Sequence, residues 1–113
     1  MERIKSETFF HAKPENLNCA QSILKGFQQE LNIPQSRIDD FRAFGGGQAD
    51  GGLCGALYAA ETLLAERGKL SVLQQFRDKA GGVACREIKR NAKTPCMKCV
   101  SIADELLEQN LNI

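Results

Sequence analysis

Apolar residues return at steps of three and four along nearly the whole chain, and this period limits the fold more than any other feature. Ala20, Ile23, Leu24, Phe27 and Leu31 form one stripe, and Leu53, Leu57, Ala60 and Leu64 a second. Leu70, Leu73, Phe76 and Ala80 make a third, and Val100, Ala103, Leu106 and Leu107 a fourth. Such a stripe is one face of an α-helix buried against a neighbour. The punctuation agrees: Asn16 or Asn18 can cap the first long helix, Pro34 opens a second, Gly68 follows the central one, Gly81-Gly82 stops the next, and Thr94-Pro95 opens the last. No alternating run rich in Val, Ile and Thr suggests a strand. The pattern predicts an all-α, single-domain bundle of about five or six helices over residues 1–113.

A chain of 113 residues can build a core without a mandatory covalent staple. Its 15 basic and 14 acidic residues leave a formal net charge of +1, so no global field attracts DNA, RNA or an anionic membrane. The stretch Met1–Glu7 carries charges where a secretory leader needs its apolar segment, and the longest charge-free run, Gly51–Ala60, is far short of the ~18–20 residues of a spanning helix. The expectation is a cytoplasmic protein with no nucleic-acid or membrane partner. In that reducing compartment thiols stay reduced unless they bind metal or cycle.

Five cysteines are then an excess that packing alone does not require, and their odd number leaves at least one outside any set of intrachain pairs. Cys19 follows the Asn16/Asn18 cap, Cys54 follows Gly51-Gly52, Cys85 follows Gly81-Gly82, and Cys96 follows Thr94-Pro95 with Cys99 one turn on. A helix N-terminus presents unpaired N–H groups and about half a positive charge, which lowers a thiol's pKa and makes it a better nucleophile or metal ligand. Arg86, Lys89, Arg90, Lys93 and Lys98 outnumber Glu87 around the last three cysteines and push the same way. The plainer alternative is that the thiols pack as small apolar side chains, Cys19 with Ile23 and Phe27, Cys96 with Val100 and Leu107.

Cys96-Met97-Lys98-Cys99 is a CxxC at a helix start, able to form a disulfide or share an ion. No strand precedes it, as a thioredoxin-like site requires. Val100 stands where a c-type haem motif needs histidine, so no haem is expected. A single pair falls short of a zinc finger, and a closed zinc site would draw on several helices.

The loop Gly45–Gly52 holds five glycines in eight residues and delivers the chain to the helix near Cys54. It lacks the Gly-Lys-Ser/Thr ending of a phosphate loop, so it reads as a tight connection, or as a source of amides around the Cys54 sulfur. Helical spacing puts Tyr58 and Glu61 on the face of Cys54, with Glu61 a proton acceptor for the thiol or a solvated carboxylate beside a packed tyrosine. His11, the one imidazole, reads as a surface residue.

Asn18-Cys19-Ala20-Gln21, Phe44-Gly45-Gly46-Gly47, Cys54-Gly55-Ala56, Cys85-Arg86-Glu87 and a last cysteine before Val100 and Ala103 resemble, in order and spacing, the C-GCAxxG-C-C family of redox-active bacterial proteins, over roughly residues 16–108. The resemblance implies that Cys19, Cys54, Cys85 and Cys96 are the family's four cysteines, since Val100 and Ala103 lie four and seven residues past Cys96. Cys99 is then extra, a resolving partner for Cys96 or a substitute ligand. Ala59 stands where the family's CGAxxG motif ends in glycine. The family, which is related to the cysteine-bearing domain of split-Soret cytochromes, implies thiol/disulfide or electron-transfer chemistry. The alternative is a non-catalytic module in which Cys19, Cys54, Cys85 and Cys96 hold zinc or an iron–sulfur cluster. The expected partners are a redox protein, a small thiol or a metal, and the odd thiol permits a bridged homodimer.

Overall fold

A computed structural model describes residues 3–13, 15–45 and 50–111. Among them the chain is helical without a strand, in seven α-helical segments: α1 Cys19–Gly26, α2 Gln28–Leu31, α3 Gln35–Asp40, α4 Gly55–Glu66, α5 Leu73–Ala80, α6 Cys85–Glu87 and α7 Cys96–Leu111. A 3-10 turn, Ser6–Phe9, precedes them, and a short π-helical stretch, Ile88–Ala92, links α6 to α7. The count slightly exceeds the five or six expected, because the first stripe is two helices. Phe27 interrupts it with φ −112° and ψ 10°, while its side chain stays fully buried.

The ends follow local chemistry. Asn18 caps α1 by accepting the Gln21 amide at 2.8 Å, and the Gln21 side chain accepts the Asn18 amide at 3.1 Å, a reciprocal capping box. Pro34 precedes α3, and Gly81 ends α5 in the left-handed region at φ 89°. The third stripe starts later than its pattern predicts. Helix α5 begins at Leu73, and Leu70 lies outside it with 83% of its surface exposed.

The core is the packing of α1, α4 and α7, with α5 against α7 and the Ser6–Phe9 turn across α1 and α7. Helix α4 is its axis. Ala56, Leu57, Ala59, Ala60, Leu63 and Leu64 are all fully buried, which accounts for the charge-free run: a helix covered on most sides has little room for charge. Ala59, in place of the family glycine, fits this environment without exposure. No helix among the described residues is long and apolar enough to cross a membrane.

One polar cluster ties the first described residues to the last helix. The Arg3 guanidinium donates to both carboxylate oxygens of Asp104, at 2.6 and 2.9 Å, to Glu108 at 2.9 Å and to the Gly26 carbonyl at 3.1 Å. It lies over the Phe27 ring at 3.8 Å. The Ser6 amide also donates to Asp104, at 2.7 Å.

Candidate functional site

Four helix starts converge at one end of the α1–α4–α7 core. Cys19 is the first residue of α1, Cys85 of α6 and Cys96 of α7, and Cys54 is the residue that caps α4. The link that assembles them is short: Leu53 and Ala84 form an isolated antiparallel bridge, and the Cys54 amide donates to the Val83 carbonyl at 2.8 Å. That bond holds the start of α4 against the start of α6. Thr94 donates to the Ala80 carbonyl at 2.9 Å, which fixes the entry to α7 against the end of α5.

The result is a small cavity lined by Cys19, Cys54, Cys85, Cys96 and Cys99 with Gly55, Ile88, Lys89 and Thr94. A water-sized sphere has ≈ 20 Å³ in which to move there, room for about one water molecule. Cys19, Cys54 and Cys99 are buried, whereas Cys85 and Cys96 are half-exposed. No disulfide links these side chains among the described residues. The cavity thus has an inner wall of covered thiols and an outer pair that solvent reaches.

Gly55 sets how closely α4 approaches α1. A Cβ at this position would stand 2.6 Å from the Cys19 sulfur and 2.7 Å from the Phe44 carbonyl oxygen, well inside contact distance. Gly55→Ala is therefore expected to cost about 1–3 kcal/mol by overpacking. The check is urea unfolding, where the midpoint should fall at unchanged slope. An unchanged midpoint would mean that Cys19 and Phe44 make room at no cost.

The two innermost thiols are coupled. The Cys54 thiol donates a hydrogen bond to Cys99, which raises Cys54, and burial adds to the rise, although the amides of Leu57 and Ala56 oppose it. The same bond lowers Cys99 against its own burial. The shared hydrogen bond thus favours keeping the proton on Cys54 and eases its loss from Cys99. The opposing amides belong to the first turn of α4. Of the glycine-rich loop expected to supply them, residues 46–49 lie outside the described residues. Burial raises Cys96, while the nearby Lys89 ammonium pulls it down.

Cys99 is the most covered of the five, at 3% exposure; Cys54 is its hydrogen-bonded neighbour, and Cys96 is also close enough to act on its charge. Glu61 does not serve Cys54. Its carboxylate accepts the Val72 amide at 2.9 Å and the Ser71 hydroxyl, and so tethers the entry to α5. Tyr58 packs into an aromatic cluster with Phe44 and Phe41, centroids 4.9 and 6.1 Å away. His11 is exposed and stacked on Phe10, away from the thiols, as its surface reading predicts. Lys89 and Ile88, which the sequence does not single out as cavity residues, follow from Cys85 by helical spacing, since positions three and four residues on share its face.

A family model described as "Putative redox-active protein (C_GCAxxG_C_C)" matches residues 17–110. The chain belongs to the C_GCAxxG_C_C family. No curated protein and no solved structure matches it. The C_GCAxxG_C_C pattern names four cysteines, whereas five line the cavity here. The donor set of C_GCAxxG_C_C thiols is soft enough for zinc or an iron–sulfur cluster. As arranged, however, no group of three or more His, Cys, Asp or Glu side chains among the described residues has the geometry to hold an ion.

Proposed function

We propose that this chain is a small thiol–disulfide redox protein whose five cysteines act as one site. One observation carries the reading: thiols from four helix starts line a single cavity, two of them half-exposed and three covered. In this reading Cys54 and Cys99 are the inner couple. The Cys99 thiolate is the sulfur that reacts within the cluster, and Cys54 supplies the proton that leaves. Oxidation joins the Cys99 thiolate sulfur to the Cys54 sulfur, releases the one proton of Cys54 and passes two electrons to the oxidant. Cys85 and Cys96 are the outer pair that exchanges with a partner, and Cys19 lies on the cavity wall behind them. A reducing, cytoplasmic setting suits such a cycle.

Peptide mapping by mass spectrometry, on protein purified without oxygen and then treated with the thiol oxidant diamide, tests the reading. Disulfides within the set Cys19, Cys54, Cys85, Cys96 and Cys99 are expected, with Cys54–Cys99 among them. All five thiols intact after oxidant, or zinc or iron bound in stoichiometric amount by elemental analysis, would sink it in favour of inert packing or a metal-binding module.

A further inference from the structure

The outer thiols sit in the most cationic stretch of the chain. Between Cys85 and Cys99 the sequence places Arg86, Lys89, Arg90, Lys93 and Lys98 against the single acid Glu87, in a protein whose formal net charge is only +1. All five cations are exposed, and none of them is in an ion pair among the described residues. Glu87 is itself exposed, and its carboxylate accepts the Val83 amide at 2.9 Å. Lys89 lines the cavity itself. Beside Cys96 stands Met97, with 52% of its surface exposed, an apolar side chain that adapts to irregular surfaces.

We propose that the segment 85–98 is a docking rim for a partner protein whose redox-active disulfide is framed by carboxylates. This rests on the thiol-exchange reading above and names the chemistry of the partner. Two observations favour a protein surface over a small anionic disulfide. The cavity has room for little more than one water, so the exchange takes place at the rim and not inside. The cations also spread along the whole length of α6, the π-helical stretch and the first turn of α7, a wider footprint than a tripeptide covers. In the step itself, a rim thiolate attacks one sulfur of the partner's disulfide. That S–S bond breaks, a mixed disulfide forms, and the other partner sulfur departs and takes up a proton. A second thiolate of the cluster then attacks this chain's own rim sulfur in the mixed disulfide, and the partner's remaining sulfur departs and takes up a proton. The partner leaves as a dithiol and the chain retains the disulfide, two electrons having passed to the partner. Opposite charge at the rim raises the encounter rate, and the gain is screened by salt.

The test uses the reduced full-length chain and two synthetic peptides of equal length. Each closes one CxxC disulfide, flanked by glutamates in one peptide and by lysines in the other. Oxidised glutathione is the small-anion arm, and neutral 2-hydroxyethyl disulfide the control. At low salt the acidic peptide is expected to oxidise the cluster about tenfold or more faster than the basic one. High salt should close the gap, and the double variant Arg90→Glu, Lys93→Glu, which leaves three cations against three acids in the segment, should abolish the preference for the acidic peptide while its rate with the neutral disulfide stays unchanged. Equal rates for the two peptides at low salt would overturn the proposal, as would glutathione outrunning the acidic peptide. Failure of all four disulfides to oxidise any cysteine would remove the thiol-exchange reading as well.

Discussion

Replacing Asp104 with alanine is expected to destabilise the fold by about 3–5 kcal/mol, the usual cost of stranding a buried charge. Asp104 is 1% exposed and accepts both guanidinium N–H groups of Arg3 and the Ser6 amide. The Arg3 side chain is 6% exposed, lies against Phe27, and keeps Glu108 and the Gly26 and Ile4 carbonyls if the aspartate is removed. Burial alone would raise the Asp104 pKa, but the hydrogen bonds from Arg3 and Ser6 outweigh it and hold the carboxyl below its ordinary value. A carboxylate depressed in the folded state contributes stability that is present above its unfolded value of about 3.9 and is lost as pH falls through the lower folded value. Urea unfolding at pH 7 and in the acid range checks both statements. The wild type should lose stability as pH drops below about 4. Asp104→Ala should start lower and lose less over the same range. A variant within about 1 kcal/mol of wild type at pH 7 would show that the cluster is solvated rather than buried.

Cys54→Ala and Cys99→Ala are expected to shift the surviving thiol in opposite directions. Without Cys54, Cys99 loses the donor that lowers it and is left to burial, so its alkylation by iodoacetamide near neutral pH should slow by about tenfold or more. Without Cys99, Cys54 loses the neighbour that raises it most and keeps the amides of Leu57 and Ala56, so its labelling should begin at lower pH than in the wild type. Residue-resolved labelling against pH reads both. Because each variant loses only a small side chain from the same cavity, a packing effect would change both thiols in the same sense. Shifts of the same sign would therefore mean that the two sulfurs do not share a proton.

Much of the site was legible because its positions are local properties. Asn18 caps α1 through its own side chain, Gly81 ends α5 by its left-handed backbone, and Pro95 precedes the first turn of α7. The cysteines that follow such signals therefore stand at helix starts whatever the packing. Glu61 shows where this reasoning stops. Its spacing from Cys54 is correct for a shared helix face, yet Ser71 and Val72, on the approach to α5, capture the carboxylate first. The break at Phe27 likewise leaves no mark on an apolar stripe that runs through it, because the side chain stays buried on both readings.

Sequence alone determined the helical class, the main boundaries, the family and which thiols stand at helix starts, since each depends mostly on local residue patterns. Tertiary structure decided which thiol meets which. Cys54 and Cys99 stand on different helices, and nothing in the period of either shows that the Leu53–Ala84 bridge and the packing of α4 on α7 bring them together. A repeat fixes the face a helix buries, whereas the neighbour on that face is set by crossing and register, which depend on the whole core. The same packing divides five chemically equivalent cysteines into covered and exposed sets. Burial and hydrogen bonding, and not residue type, set the acidity and reach of each sulfur.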